Sequence, residues 1–121
     1  MKYLLLIHDE EKEWLSLSEA EQQSIFGEYR QLIEELTSKG QFLAGSQLQP
    51  TSTATSVRVR DGKQLVTDGP FAETREQLGG YFLIEAKDLD EAISIAGRVP
   101  SARMGTIELR PLVETAAPAT A

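Results

Sequence analysis

Residues 2–8 have the sequence KYLLLIH, an apolar run about as long as one β-strand. Successive side chains of a strand point to opposite faces of its sheet, and in this run both faces are apolar. The two sets alternate along the run: Tyr3, Leu5 and Ile7 lie on one face, and Leu4, Leu6 and His8 lie on the other. This pattern predicts a strand that is covered on both sides.

The segment after this strand has the pattern of an amphipathic helix. Ser18 and Glu21 have the spacing of a capping box at a helix start, and Gly40 is a typical stop. Residues 42–48 form the second predicted strand. The first third of the chain is therefore predicted to be strand, helix, strand.

A β-hairpin is predicted in the middle of the chain. Its strands are VRVR at residues 57–60 and KQLVT at residues 63–67. Asp61-Gly62 separates them, and such a pair favours a type I′ turn because glycine accepts positive φ without strain.

The last third repeats the pattern of the first. A strand is predicted at residues 80–87, a helix from Asp88 to Pro100, and a final strand at residues 106–113. With the hairpin set aside as an insert, the order is β-α-β-β-α-β, the ferredoxin-like arrangement of the α+β class.

One face of a ferredoxin-like sheet has no helices on it, yet the first strand is apolar on both faces. A second copy of the sheet is the simplest cover, so we expect a homodimer that forms a dimeric α/β barrel. The domain is predicted to span residues 1–114. A flexible tail is predicted at residues 115–121, which have the sequence TAAPATA.

The charge of the chain is concentrated in one segment. The 121 residues include 12 Lys+Arg and 19 Asp+Glu, a formal net charge of -7. Residues 9–36 hold nine acidic and two basic residues, so this segment carries the whole excess. An acidic surface disfavours binding to nucleic acid and to anionic membranes, so neither is expected as a partner.

The composition also limits the chemistry and the location. With Cys 0 and His 1, disulfides, thiolate catalysis, cysteine-ligated metals and multi-histidine metal sites are excluded within one chain. We expect neither a metal nor a cofactor. Acidic residues follow the first strand directly, which is not typical of a signal peptide, so a cytoplasmic location is expected.

The connection after the hairpin, TDGPFAETREQLGGY at residues 67–81, has several features of a tight corner. Asp68 is expected to cap the turn through an Asx-type hydrogen bond, with Gly69-Pro70 forming the corner. Phe71 is expected to anchor it in the core. Gly79-Gly80 is expected to let the backbone pass close to another chain or a ligand.

This connection closely resembles the YCII-related family, in the branch named for its Asp-Gly-Pro-Phe motif. The resemblance extends from MKYLLLI at the start, through TATSVR at residues 53–58, to GTIELRP at residues 105–111. It implies a dimeric α+β barrel. It also implies a regulatory link, because genes of this branch often lie beside those of extracytoplasmic-function sigma factors. A His–Asp dyad has been proposed in the wider superfamily, with the histidine on the first helix, but this chain has no histidine there.

The candidate catalytic residues are His8 and Asp68. His8 is a candidate proton shuttle because histidine changes charge near neutral pH, and the alternative is a strand-end residue that bonds to a neighbour. Asp68 is a candidate general base, or a group that orients His8 or an arginine. Its alternative role is the turn cap described above.

The candidate ligand-binding residues are Arg58, Glu73 and Arg110. Arginine presents a planar fork to a carboxylate or phosphate, and both arginines alternate with apolar residues on predicted strands. They are expected to bind a ligand in the space between two sheets, or else to pair with Asp68, Glu73 or Glu108. Glu73 is either part of that site or part of a solvated turn.

Two functions follow from these candidates. The first is a cofactor-independent enzyme that performs proton transfer or elimination on a small polar or aromatic molecule, with Asp68 or His8 as acid or base. The second is a non-catalytic ligand-binding or regulatory protein linked to a sigma factor. In both, the ligand is a small anionic or aromatic molecule.

Overall fold

The structure is a computed structural model that describes residues 1–114. The predicted tail at residues 115–121 lies outside the described residues. The strands and helices alternate along the chain: β1 is Lys2–Asp9, α1 is Glu11–Ser16, α2 is Glu19–Ser38, β2 is Phe42–Gln47, β3 is Thr55–Arg60, β4 is Lys63–Asp68, β5 is Gln77–Glu85, α3 is Leu89–Arg98 and β6 is Thr106–Pro111. Short 3₁₀ turns follow β2, at Thr51–Thr53, and α3, at Pro100–Arg103.

Four strands form one antiparallel sheet in the order β2-β5-β1-β6. Strand β1 is central and pairs with β5 on one side and β6 on the other. This order is that of a ferredoxin-like domain, so the predicted α+β class is confirmed. Strands β3 and β4 form a separate two-stranded sheet, the predicted hairpin insert.

The two faces of the sheet differ in what covers them. On the helix side, Leu5, Leu36, Ile84 and Val99 are fully buried, and they form the core with the other apolar side chains of α2, α3 and the sheet. On the opposite side, which we call the open face, no helix packs within the described chain. The apolar residues of β1 that point there, Leu4 and Leu6, are only partly buried, so the cover predicted for this face is not present in one chain.

The predicted helix caps form, but one short helix was missed. Ser18 and Glu21 make both hydrogen bonds of the capping box, and the Asp88 side chain accepts from the Glu91 N–H at the start of α3. Helix α1 lies between the first predicted strand and Ser18, where no helix was predicted. Its two turns have no side-chain cap, and Trp14 holds them by an edge-to-face contact with Phe26. Because this contact is tertiary, local periodicity gave no sign of the helix.

The hairpin has the predicted turn. Asp61 and Gly62 have φ values of 51° and 72°, the two positive values that a type I′ turn requires. Val57 and Val66 face each other across the ladder and are 55% and 62% exposed. The hairpin therefore projects from the body with an apolar face uncovered in one chain.

Two apolar side chains do not lie where the sequence predicted them. Phe71 is 81% exposed rather than anchored in the core, and its neighbours at residues 72–75 are exposed as well. Val113 lies beyond the end of β6 and is 88% exposed. No helix among residues 1–114 is both long and apolar enough to cross a membrane.

Candidate functional site

A cavity of about 360 Å³ lies on the helix side of the sheet, near the end of β1. Its walls are mainly aromatic and aliphatic side chains from α1, α2 and the sheet, among them Trp14, Phe26, Ile33 and Phe82. Apolar walls around a few polar groups are typical of small-molecule sites, and this volume suits a ligand with one aromatic ring.

Glycines give the cavity its floor. A Cβ at Gly80 would lie 2.9 Å from the carbonyl oxygen of Ser46, so only glycine lets β2 and β5 approach this closely. A Cβ at Gly79 would lie 3.3 Å from Oδ1 of Asp9. The close approach at Gly79-Gly80 is therefore to β2 and Asp9 of the same chain, and an approach to another chain or a ligand stays a prediction.

Three polar side chains lie together in the lining: Asp9, Tyr29 and Ser101. The Tyr29 and Ser101 hydroxyl oxygens are 2.6 Å apart and share one hydrogen bond. Ser101 is the buried polar residue of the core, with 4% exposure. A bond between two hydroxyl groups uses one proton, so the other is left to donate either to Asp9 or to a ligand.

The environment makes Asp9 easier to protonate than an aspartate in water. Burial raises the pKa of Asp9, the Ser101 hydroxyl lowers it, and the charges of Glu11 and Glu76 raise it again. Burial is the largest cause. A carboxyl group of this kind is suited to general acid–base chemistry, because its pKa moves toward the working pH.

Tyr29 is held in its neutral form. Burial raises the pKa of the Tyr29 phenol, the bond from Ser101 opposes this, and the charge of Asp9 adds to the rise. The phenol therefore acts as a hydrogen-bond donor or acceptor rather than as a phenolate.

A second carboxylate fixes the rim of the cavity. Glu11 accepts hydrogen bonds from the backbone N–H and the hydroxyl of Thr51, at 2.7 Å and 3.0 Å. The Glu11 N–H donates to Oε1 of Gln77 at 3.0 Å. These bonds connect the start of α1 to the loop after β2 and to β5, so they hold the cavity mouth in shape.

Two of the sequence-predicted residues come together on the open face. Nε2 of His8 lies 3.3 Å from Oε1 of Glu108, and Nη1 of Arg110 lies 3.1 Å from Oε2 of the same carboxylate. The His8 contact lacks hydrogen-bond geometry, and Nε2 is enclosed with no hydrogen-bond partner within residues 1–114. We interpret it as an electrostatic contact that gains strength when the imidazole is protonated.

The other predicted residues lie elsewhere. Asp68 ends β4 opposite Thr55, Arg58 is an exposed residue of β3, and Glu73 is exposed in the connection to β5. In residues 1–114, no hydrogen bond or ion pair joins Asp68 to His8, and none closes the expected Asx turn. The Gly69 N–H instead donates to the Ala54 carbonyl at 2.7 Å, so the backbone closes the base of the hairpin.

The cavity residues were missed from the sequence, although a signal existed. Asp9 follows Ile7 by two positions, so the same alternation that buries Ile7 places Asp9 on the helix side. Tyr29 was assigned to the apolar stripe of its helix, where a buried phenol usually finds a polar partner. Ser101 had no sequence signal, because its role depends on where the turn after α3 packs.

Three similarities to known proteins accompany this geometry. A profile of the YCII-related domain matches residues 1–116. An uncharacterised protein of Rhizobium meliloti (strain 1021) is 33% identical over 114 residues, which cover 93% of this chain and 92% of that protein. The solved structure of 5-chloro-2-hydroxyhydroquinone dehydrochlorinase (TftG) from Burkholderia phenoliruptrix AC1100, in complex with 2,5-dihydroxybenzoquinone, superposes with a TM-score of 0.55. Its match is 12% identical and covers 95% of this chain and 96% of that one, so it shows a shared fold.

Proposed function

We propose, from the premise that this chain belongs to the YCII-related domain family, that it is an enzyme acting by proton transfer on a small aromatic molecule. The observation that carries the proposal is Asp9, a half-buried carboxyl group in the lining of an apolar cavity and beside a hydroxyl pair. A structural neighbour with the same fold is an enzyme described with a quinone ligand, which supports a ring-shaped substrate.

The cavity residues have different roles in such a reaction. The Asp9 carboxylate accepts a proton from a carbon or hydroxyl group of the substrate. The second hydroxyl proton of the Tyr29–Ser101 pair is donated to a substrate oxygen instead of to Asp9, and negative charge develops at that oxygen as the substrate loses its proton. Trp14 and Phe82 enclose the ring and exclude water, which strengthens both interactions.

Elimination is the natural extension of this step. On a hydroquinone ring, a proton first moves from one ring oxygen to the carbon that bears the leaving group, which makes that carbon tetrahedral. Asp9 then removes the proton of the second hydroxyl group. The electron pair of that O–H bond forms the quinone carbonyl, and the shift of the ring double bond expels the leaving group. The leaving group departs as an anion, and Asp9 holds the proton. The similarity to a dehydrochlorinase supports this form of the reaction, although the substrate of the present chain need not carry chlorine.

One tryptophan makes the proposal easy to test. The chain has a single Trp, and Trp14 lies in the cavity lining, so the indole N–H cross-peak in a ¹⁵N-correlated NMR spectrum reports on the cavity alone. We expect hydroquinones to shift this peak in a saturable way. We also expect chloride release or ring-proton exchange with some chlorinated or plain hydroquinones, and loss of that turnover in Asp9→Asn. No shift with any single-ring aromatic at millimolar concentration would disprove the proposal.

We also propose that the functional unit is a homodimer that joins through the open face. Three observations support it: the partly buried leucines of β1 on that face, the exposed apolar face of the hairpin, and exposed Phe71. A two-stranded hairpin is marginally stable alone, so it gains from a cover. In such a dimer His8, Glu108 and Arg110 face the space between the sheets, where the sequence predicted a ligand. Sedimentation should give twice the chain mass at micromolar concentration, and a monomer there would refute this.

A regulatory role remains the alternative proposal. Its support is the acidic segment at residues 9–36, which contributes the exposed face of α2 and suits a basic partner. Saturable ligand binding without any turnover, together with co-purification of a sigma factor encoded nearby, is the result expected of a regulator. Turnover that depends on Asp9 is the result expected of the enzyme.

A further inference from the structure

The cavity has an unbalanced set of charges. Asp9 and Glu11 contribute the carboxylates of its lining, and no Lys, Arg or His from residues 1–114 lines it. The walls are apolar, so neither ions nor bulk water can fully screen a charge placed inside. A ligand therefore meets negative charge without a compensating cation.

The nearest arginines are engaged with other carboxylates. Nε of Arg75 lies 3.5 Å from Oε1 of Glu10 on the surface, and Nη2 of Arg103 lies 2.8 Å from Oε2 of Glu28. Arg110 contacts Glu108 on the open face. None of these guanidinium groups belongs to the lining. The charge of Arg103 does act on Tyr29 in the lining, but its guanidinium group is bonded to Glu28 rather than directed at the cavity.

The two lining carboxylates differ in what they can offer a ligand. Both oxygens of Glu11 accept hydrogen bonds from Thr51, so Glu11 holds the rim. Asp9 lies beside the Ser101 hydroxyl and retains acceptor capacity toward the cavity, because a carboxylate has about four lone-pair sites. A hydroxyl group on a ring can donate to Asp9, whereas a ring carboxylate can only repel it.

We infer that the cavity selects uncharged, hydroxyl-bearing aromatic rings and rejects aromatic anions of the same size, and that Asp9 is the residue that enforces this choice. The inference rests on the proposed function, whose substrate occupies the same cavity. It narrows the ligand class that the sequence suggested, because Arg58 and Arg110, the predicted anion-binding residues, lie outside this lining.

A matched pair of ligands tests the inference in the wild-type protein. 3-Hydroxybenzyl alcohol and 3-hydroxybenzoate share the ring and its hydroxyl group and differ in one substituent, which is neutral in the first and an anion in the second at neutral pH. Titration followed by the Trp14 indole cross-peak should give a Kd for the alcohol at least about tenfold lower than for the benzoate. Equal affinities, or tighter binding of the benzoate, would overturn the inference and leave the proposed enzyme standing. No binding of either ligand would count against both.

Two variants with the same change of net charge locate the effect. Asp9→Asn should lower the ratio of the two Kd values toward one, because it removes the repelling charge and keeps the shape. Asp61→Asn is the control: it removes one charge at the hairpin turn, outside the lining, and asparagine also tolerates the positive φ there. It should leave the ratio unchanged. Equal effects of the two variants would show that net charge, rather than Asp9, causes the selectivity, and would overturn the assignment.

Discussion

His8 and Asp9 are neighbours in the chain, but they lie on opposite faces of one sheet and in different surroundings. Asp9 lies on the helix side, in an apolar cavity with the Tyr29–Ser101 hydroxyl pair. His8 lies on the open face, where its Nε2 and the Arg110 guanidinium group both contact the Glu108 carboxylate. The helix side half-buries Asp9 within one chain, whereas no helix of residues 1–114 covers the open face.

The different surroundings of His8 and Asp9 follow from the alternation of side chains between the two faces of a strand. A shift of one residue moves a titratable group from one environment to the other. On the helix side, burial raises the pKa of a carboxyl group and prepares it for proton transfer. On the open face, Arg110 bonds to Glu108, and Nε2 of His8 lies beside the same carboxylate without a hydrogen bond. The first arrangement suits chemistry, and the second suits an interface.

The largest expected effect is on the free energy of unfolding, because side chains are packed more tightly on the helix side than on the open face. Leu5 is fully buried on the helix side, so Leu5→Ala should lower the free energy of unfolding by about 3 kcal/mol. Leu6 is partly buried on the open face, and Leu6→Ala should lower it by about 1 kcal/mol or less in dilute solution. Urea denaturation measures both. Equal losses in a monomer would show that the open face is already covered.

The next effect concerns turnover. Asp9→Asn removes the proposed proton acceptor, and we expect it to lower kcat on the order of 100-fold while the substrate still binds. His8→Asn changes the neighbouring residue on the open face and should lower kcat less. Steady-state kinetics of the two variants compares them directly. A larger loss in the histidine variant would transfer the chemistry to the open face, as the sequence first suggested.

A smaller effect is expected from the hydroxyl pair. Ser101→Ala removes the partner of the buried Tyr29 phenol, and the free energy of unfolding should fall by about 1 kcal/mol. Tyr29→Phe removes the same bond from its other side. In a double-mutant cycle the two changes should therefore couple by about 1 kcal/mol, and strictly additive losses would contradict the bond.

The smallest effect is a pH dependence of stability. The folded-state pKa of Asp9 lies above its unfolded value of 3.8, so folding favours the protonated form. Stability from this group is present below pH 3.8 and is lost as the pH rises through the folded pKa. Because Asp9 is only half buried, the loss should be roughly a few tenths of a kcal/mol. Asp9→Asn should abolish this loss, so the free energies of unfolding of wild type and variant should diverge as the pH rises. Parallel curves of unfolding free energy against pH would argue against the raised pKa.

The sequence predicted the fold better than the site. Capping residues, the Asp61-Gly62 turn and the alternation in β1 are local signals, and the structure contains each of them. Helix α1 escaped because its stability comes from the contact of Trp14 with Phe26. Phe71 was misplaced because an apolar residue in a corner reveals nothing about whether a core lies within reach.

The candidate site shows the same limit more strongly. His8 became a candidate because it is the sole histidine of the sequence. Asp68 became a candidate because it belongs to the Asp-Gly-Pro-Phe motif. Burial instead concentrates the perturbed groups at Asp9 and Tyr29, whose identities are unremarkable in the sequence. A shifted pKa depends on which elements stack above a residue, so it follows from packing rather than from residue type.

The sequence by itself determined the order of elements, the ferredoxin-like α+β class, the hairpin with its turn and the location of the acidic excess. These follow from hydrophobic periodicity, caps and turn residues, which act over a few neighbours along the chain. The tertiary structure alone decided where the cavity lies and that Asp9, Tyr29 and Ser101 meet in it. Those residues come from a strand, a helix and a turn that are distant in the chain, and only the packing of α1 and α2 over the sheet brings them together and removes water from around them.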